Sequence, residues 1–229
     1  DRGVVGCGSG GRGAGPRARG ARLGGGSYPE AMARRVLHDE YFRRAKAEGY
    51  LARSAYKLLE LNEKKRLMKR GDRVLDLGCA PGSWLQVCRR LVGPKGVVVG
   101  IDLQEVEHTF EPNVHVIRGD LTEFAPGDLL GESGRRFDCV VSDMAPPTTG
   151  HGDHFRSVRL CEAILDRLPV LLREGGNLAM KVFEGEDHPE LVRLTGTMFG
   201  EARSFKPRAS RDVSRETYVV GKGYRGGSA

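Results

Sequence analysis

The stretch LDLGCAPGSW at residues 75–84 joins an apolar run to a turn and then to the only tryptophan of the chain. Its glycines, Gly78 and Gly82, allow a backbone to approach a ligand closely. In doubly wound α/β sheets, ligands bind where the first strand turns into the first helix. The spacing is not the dinucleotide pattern G-x-G-x-x-G, and no Lys-Ser or Lys-Thr follows as in a phosphate-binding loop. The stretch therefore predicts a ligand site of another kind at the end of a first strand.

Short apolar stretches alternate with helical stretches after Gly71. The predicted strands are RVLDLG, VVVGIDL, NVHVIRG, FDCVVSDM and NLAMKVF. Such alternation predicts a parallel sheet that is covered by helices on both faces. EARSFKP and ETYVVGKGY follow with a short loop between them, which predicts a terminal antiparallel hairpin at the sheet edge. We therefore predict an α/β, Rossmann-like fold with a mostly parallel seven-stranded sheet and a terminal antiparallel strand.

Acidic residues also follow the next two strands. Asp102 ends the second strand, where a carboxylate holds ribose hydroxyls in such folds. Asp120, in RGDLT, ends the third strand and can accept a hydrogen bond from an adenine amino group. Carboxylates at three neighbouring strand ends suit a nucleoside that carries a positive sulfonium, which indicates S-adenosylmethionine as the cofactor. Asp76 can instead cap the following helix, and Trp84 is either a core side chain or a wall of the pocket.

The positive charge of the chain, a net +7, is concentrated towards its ends. Residues 30–70 carry +6 and residues 203–225 carry +5, whereas residues 71–202 carry −8. Basic ends around an acidic middle predict a face that binds a polyanion such as nucleic acid, beside a separate site. We call this predicted surface the basic face, and its expected members include Arg34, Arg35, Lys64 and Arg208.

The composition also divides the chain. Residues 1–28 are rich in Gly and Arg with few large apolar groups, which predicts a disordered basic tail. Residues 29–229 are predicted to form a single methyltransferase domain, with basic helices over 29–70 and a Rossmann-like core over 71–225. Ser54 is the predicted N-cap of one of those helices.

Five cysteines, an odd number, form no C-x-x-C pair, which argues against a disulfide framework or a structural zinc site and favours the cytoplasm. No apolar run approaches the length of a membrane span. His151 and His154 have a spacing that metal sites use, but on a glycine-rich loop they are expected to contact RNA or solvent. We predict no metal.

The segment after the fourth strand helps to identify the methyl acceptor. It reads SDMAPPT, without the aromatic residue that follows the prolines in methyltransferases of exocyclic amines, and the chain has no Pro-Cys or Thr-Cys nucleophile for pyrimidine carbon 5. Oxygen acceptors remain. A ribose 2′-hydroxyl needs a base, and a lysine can act as one when burial or a neighbouring cation favours its neutral form. Lys181, at the end of the fifth strand beside Asp143, is the candidate, although a strand lysine usually extends to solvent.

The sequence around these positions resembles the FtsJ/RrmJ-type RNA 2′-O-methyltransferases over residues 30–225. The motifs RSAYKL, SDMAP, MKVF and SRETYVV match the catalytic K-D-K-E tetrad of that family, which implies the catalytic residues Lys57, Asp143, Lys181 and Glu216. The motifs APGSW, GIDL and GDLT match its cofactor segments, which implies cofactor contacts from Gly82, Trp84, Asp102, Asp120 and Asp143.

The resemblance is to the short bacterial type, which implies methylation of a uridine ribose in ribosomal RNA, within the large ribosomal subunit, by a monomer. Transfer RNA or another RNA is the alternative substrate. A non-catalytic assembly factor that binds ribosomal RNA is the alternative of another class, and it predicts that tetrad residues are missing.

Overall fold

The computed structural model describes residues 40–147, 150, 152–210 and 214–226, and its strands form one sheet. The strands are β1 (Arg73–Leu77), β2 (Val97–Asp102), β3 (Val114–Arg118), β4 (Phe137–Ser142), β5 (Leu172–Phe183), β6 (Phe199–Phe205) and β7 (Glu216–Tyr224). The helices are α1 (residues 40–47), α2 (Ala55–Lys65), α3 (Ser83–Val92), α4 (Asp153–Leu165), α5 (Leu168–Leu171) and α6 (His188–Met198), with a 3-10 helix at Pro126–Leu130. In these ranges, no helix has the length and apolar character that a bilayer crossing requires.

The seven strands lie in the order β3-β2-β1-β4-β5-β7-β6. Strands β1 to β5 pair in parallel, whereas β7 runs antiparallel to both of its neighbours. This confirms the predicted α/β fold, with its mostly parallel seven-stranded sheet and terminal antiparallel strand. The hairpin of β6 and β7 lies at the sheet edge, but β6 is the edge strand and β7 is inserted beside β5.

Apolar side chains cover the sheet on both faces. On one face, Leu75 and Met180 belong to the core that includes residues of α4 and α6. On the other face, Val74 and Ala179 belong to the core that includes residues of α2 and α3. Since successive residues of a strand point to opposite faces, Lys181 shares the face of Ala179 and lies on the α2 side of the sheet.

The turn between β1 and α3 depends on its two glycines. Gly78 and Gly82 have φ angles of +77° and +110°, a region that side-chain-bearing residues rarely adopt. A Cβ atom at Gly78 would lie 2.3 Å from Cγ of Met144, in the segment after β4. A Cβ atom at Gly82 would lie 2.8 Å from Cζ of Phe110, in the segment after β2. Glycine is therefore required at both positions, because the segments after β2 and β4 close against this turn.

Two predictions about the N-terminal region have different outcomes. Ser54 precedes α2, but its side chain makes no capping bond; its hydroxyl instead lies 2.9 Å from that of Ser83, at the start of α3. Ser54 thus occupies the predicted N-cap position, but because a long-range partner takes up its hydroxyl, its side chain does not cap the helix. The predicted tail at residues 1–28, together with Arg34 and Arg35, lies outside the described residues.

Candidate active site

Two lysine–carboxylate pairs meet at the carboxyl end of the central strands. Lys57, on the first turns of α2, forms an ion pair with Glu216 at the start of β7. Lys181 of β5 lies 3.2 Å from the Oδ1 atom of Asp143 and also donates to the backbone carbonyl of Asp143. All four side chains are largely buried, with exposed fractions between 9% and 18%. The structure thus brings together all four residues of the predicted tetrad, with one carboxylate beside each lysine.

Tyr218 joins the two pairs. Its hydroxyl lies 2.6 Å from Oδ1 of Asp143 and 3.1 Å from Oε1 of Glu216. The side chain is fully buried, and burial together with the charges of these two carboxylates raises the pKa of Tyr218 well above its usual value. The hydroxyl of Tyr218 therefore stays protonated at any pH at which the protein works. It can donate a hydrogen bond to a carboxylate throughout that range.

The sheet register explains why these groups converge. Lys181 pairs with Tyr218 across β5 and β7, and Phe183 pairs with Glu216. β4 lies on the other side of β5, so the segment that follows it places Asp143 against Lys181. Sequence reasoning did not identify Tyr218 as a site residue. The available signal was its position two residues after Glu216, because such residues lie on the same face of a strand.

Trp84 lies directly beneath this cluster. Its ring stacks on that of Tyr218 with centroids 5.9 Å apart, and its indole nitrogen donates to the carbonyl of Ser54. Only 2% of Trp84 is exposed. Its side chain therefore has the core role that the sequence left open as one of two alternatives, and a direct contact of Trp84 with a cofactor remains a prediction.

The strand β1 carries a buried carboxylate one residue before its end. Asp76 is fully buried, and neither of its oxygens has a hydrogen-bond partner among the described residues. Burial, then the charges of Asp143 and Asp102, raise the pKa of Asp76 well above its usual value. A cationic group brought next to Asp76 would stabilise its ionised form, so this carboxylate fits a ligand that carries positive charge.

Asp102 and Asp120 take the predicted places at the ends of β2 and β3. The carboxylate of Asp102 accepts the backbone N–H groups of Ala80 and Gln104, each at 2.8 Å, so it also shapes the turn that contains Gly82. Asp120 accepts the backbone N–H and the hydroxyl of Thr122, and the hydroxyl contact lowers the pKa of Asp120. Each carboxylate retains lone pairs for a ligand.

The basic face is described in part. Lys64 on α2 is about half exposed and contacts Glu63. Arg208 is exposed, and its backbone N–H donates to Glu60 of α2, which connects the segment after β6 to that helix. The helix α1 adds the exposed side chains of Arg43 and Lys46. The two predicted halves of the basic face thus meet at α2, while their binding of RNA remains a prediction.

Comparison with known proteins identifies relatives along most of the chain. The family model described as FtsJ-like methyltransferase matches residues 50–224. A protein of Syntrophobacter fumaroxidans named Ribosomal RNA large subunit methyltransferase E is 44% identical over 188 residues, which cover 81% of this chain and 95% of that protein. A Halorubrum lacusprofundi protein of the same name is 46% identical over 189 residues, which cover 81% of this chain and 70% of that protein.

Solved structures agree with these relatives. A ribosomal RNA methyltransferase structure from Plasmodium falciparum has a TM-score of 0.69 at 30% identity and covers 78% of this chain and 100% of that chain. Fibrillarin from Aeropyrum pernix, solved with bound S-adenosyl-L-methionine, has a TM-score of 0.50 at 19% identity and covers 73% of this chain and 76% of that chain, which supports the fold alone. With a family model that matches residues 50–224, the chain belongs to the FtsJ-like methyltransferase family.

Proposed function

We propose that this chain transfers a methyl group from S-adenosylmethionine to the 2′-hydroxyl of a ribose in large-subunit ribosomal RNA. The observation that carries the proposal is the cluster of two lysine–carboxylate pairs joined by Tyr218 at the strand ends. Relatives named Ribosomal RNA large subunit methyltransferase E support the choice of RNA. Resemblance to the bacterial type supports a uridine as the methylated nucleotide.

The residues around the β1–α3 turn fit the cofactor. S-Adenosylmethionine, when bound, supplies an electrophilic methyl group on a positively charged sulfur. Asp76, whose two oxygens lack partners among the described residues, would provide a negative charge when a cationic ligand stabilises its ionised form. Gly82 would contact the cofactor through its backbone, Asp102 would bind the ribose hydroxyls, and Asp120 would bind the adenine amino group. Asp143 would contact the cofactor from the segment after β4.

Lys181 is the proton acceptor in this proposal. A neutral lysine has two N–H groups and one lone pair. Its two neighbours at Asp143, the backbone carbonyl and Oδ1, can accept both N–H groups. The lone pair is then free to take the proton of a ribose 2′-hydroxyl at Nζ as the oxygen gains its methyl group. Asp143 thus orients the base, and most of the rate gain comes from the positioning of donor and acceptor.

The other tetrad residues hold the acceptor in place. Lys57 is paired with Glu216, so each carboxylate of the cluster lies beside one lysine. Lys57 can still donate to the ribose oxygen, because an ammonium has three N–H groups. Tyr218 fixes Asp143 relative to Glu216, which keeps the two halves of the site at a constant separation.

The basic face would hold the RNA near this site. Ribosomal RNA is the polyanion that the names of the relatives indicate, and binding to its phosphates by Lys and Arg depends on salt. We propose a monomer that works in the cytoplasm. The free, buried thiols of Cys79, Cys88, Cys139 and Cys161 are compatible with a reducing compartment.

Methyl transfer from radiolabelled S-adenosylmethionine tests this function. The substrates are large ribosomal subunits, free ribosomal RNA and transfer RNA, each from cells that lack this activity. The proposal predicts label in large-subunit RNA that resists alkaline cleavage at one position, as ribose methylation requires. Label confined to transfer RNA would contradict the substrate. RNA binding without any methyl transfer would favour a non-catalytic assembly factor.

A further inference from the structure

A cleft of about 210 Å³ lies at the end of β5, two residues beyond Lys181. Its lining residues are Gly150, Asp153, His154, Phe183 and Arg215, and we call it the acceptor cleft. These residues come from the end of β5, the start of α4 and the approach to β7. None of them belongs to the tetrad or to the predicted cofactor contacts.

Residues of the acceptor cleft are neighbours of the catalytic cluster on β5 and at the start of β7. Phe183 follows Lys181 by two residues on β5, so the two side chains lie on one face of the strand, about 7 Å apart along it. Phe183 also pairs in register with Glu216, and Arg215 directly precedes that glutamate. A nucleotide whose 2′-hydroxyl is at Lys181 would therefore have its remaining parts within reach of the acceptor cleft.

Two aromatic side chains contribute to its walls. Phe183 is half-buried, and its backbone N–H donates to the hydroxyl of Ser157 at 3.0 Å, which anchors the strand end to α4. The ring of His154 contacts that of Phe155, with centroids 4.0 Å apart and the ring planes tilted by 39°. His154 also packs against Gly185: a Cβ atom at Gly185 would lie 2.5 Å from the Cδ2 atom of His154. Fixed, flat rings of this kind are the surfaces on which proteins stack unpaired bases of RNA.

The charges of the cleft suit a nucleotide as well. Asp153 forms an ion pair with Arg156 and accepts the backbone N–H of Gly150 at 3.1 Å, so its negative charge is compensated. Arg215 is exposed, and within the described residues no carboxylate pairs with it. A guanidinium in this situation can bind a phosphate in bidentate fashion.

We propose that the acceptor cleft binds the base of the nucleotide that is methylated, with Phe183 and His154 as stacking surfaces and Arg215 at its phosphate. This proposal rests on the proposed function. It implies that the target nucleotide is unstacked from its RNA neighbours, because its base enters the protein while its ribose faces Lys181.

Three single variants test the proposal on large subunits from cells that lack the activity. Phe183→Leu keeps apolar volume but removes the ring, Phe183→Tyr keeps the ring, and Phe205→Leu makes the same change at the end of β6 as a control. Stacking of one base predicts that Phe183→Leu lowers kcat/KM for the subunit by roughly 10- to 100-fold. Phe183→Tyr and Phe205→Leu should stay within about 3-fold of wild type, and all three should bind S-adenosylmethionine as wild type does.

A second substrate separates stacking from a mere disturbance of the strand. An RNA fragment that carries the methylated position is compared with the same fragment whose target base is replaced by hydrogen. Wild type should prefer the intact fragment about 10-fold or more, and Phe183→Leu should lose that preference. His154→Ala, at the partly buried start of α4, should reduce this preference in part, and it tests the cleft without a change in the strand.

The outcomes separate the two proposals. If wild type methylates no RNA, the proposed function fails before any variant is compared. If wild type is active but Phe183→Leu and Phe183→Tyr behave alike, or the preference for an intact base survives in Phe183→Leu, the acceptor cleft does not bind the base.

Discussion

At the scale of single residues, the chemistry depends on which group compensates each charge. The carboxylate of Asp143 lies beside Lys181 and that of Glu216 lies beside Lys57, and the hydroxyl of Tyr218 links the two acids. Asp76, in contrast, is a buried acid with no partner at all among the described residues. The tetrad is thus complete within the chain, whereas a cation from a ligand would stabilise the ionised form of Asp76.

Asp76 leads to a prediction about pH. Its pKa in the folded, ligand-free protein is raised by burial, whereas in the unfolded chain it ionises near pH 4. Between its pKa in the unfolded chain and its pKa in the folded protein, Asp76 is protonated in the folded state and ionised in the unfolded state. The free energy of unfolding therefore falls as the pH rises through this range. Asp76→Asn removes this loss of stability at high pH. A gain of roughly 1 kcal/mol in the free energy of unfolding at pH 7 would raise the thermal midpoint by about 2–4 °C. The same variant should bind the cofactor more weakly. Calorimetry at pH 5 and pH 8 checks this, and identical pH dependence in both proteins would contradict it.

Asp102 provides a second test at this scale. Asp102→Ala should weaken binding of S-adenosylmethionine by about 1–3 kcal/mol, because a partner for the ribose hydroxyls is lost, and the domain should remain folded. Asp102→Asn keeps an acceptor for the N–H of Ala80 and serves as the milder control. Titration calorimetry with an unchanged affinity for the alanine variant would remove Asp102 from the pocket.

At the scale of elements, the insertion of β7 between β5 and β6 builds the site. It places Glu216 and Tyr218 beside Lys181, and α2 then brings Lys57 against the start of β7. If β7 were instead the edge strand, β6 would separate it from β5, and Glu216 and Tyr218 could not lie beside Lys181. The antiparallel strand is therefore part of the catalytic arrangement as well as of the sheet.

Tyr218→Phe tests the link that β7 provides. Loss of one buried hydrogen bond to Asp143 should lower the single-turnover rate about 3- to 10-fold, while the stacking on Trp84 is retained. Tyr224→Phe is the matched control, because Tyr224 lies on the same strand and its buried hydroxyl has no partner within the described part of the chain. Equal rates for both variants would mean that the hydroxyl of Tyr218 does not organise the site.

Much of this arrangement could be predicted from local patterns. The strands followed from short apolar runs that are separated by helical stretches, and the tetrad followed from a family resemblance, because each residue lies in its own short motif. The hydrogen bonds of Tyr218 and the actual partner of Ser54 could not be predicted, since they depend on strand register and helix packing between distant segments. The lack of a partner for Asp76 is likewise a property of the packed core and is not visible in a motif.

At the scale of the whole molecule, positive charge and catalytic groups lie on connected elements. The helix α2 carries Lys57 toward the tetrad and Lys64 toward solvent, and it contacts the segment that contains Arg208. An RNA bound along the basic face would therefore lie close to the acceptor cleft.

The salt dependence of RNA binding tests this placement. Replacement of Arg34, Arg35, Lys64 and Arg208 by Ala should lower the slope of log affinity against log salt by about 0.7–0.9 for each lost phosphate contact, with cofactor affinity unchanged. The control replaces four exposed arginines elsewhere, Arg118, Arg135, Arg159 and Arg193. Equal slopes for the two quadruple variants would place the RNA on another surface. Deletion of residues 1–27 should keep the fold and weaken RNA binding only modestly.

The assignment of Lys181 as the proton acceptor is tested most directly by the pH dependence of methyl transfer in a single turnover. In wild type the rate should rise with pH, because a general base accepts a proton only in its deprotonated form. Lys181→Arg should lose most of the rate at every pH, because a guanidinium stays protonated, while it still binds S-adenosylmethionine and RNA. Lys222→Arg, on β7 with its ammonium bound to the carbonyls of Lys65 and Arg66, is the control and should behave as wild type. A Lys181→Arg protein with a near-normal rate and the same pH profile would contradict the assignment.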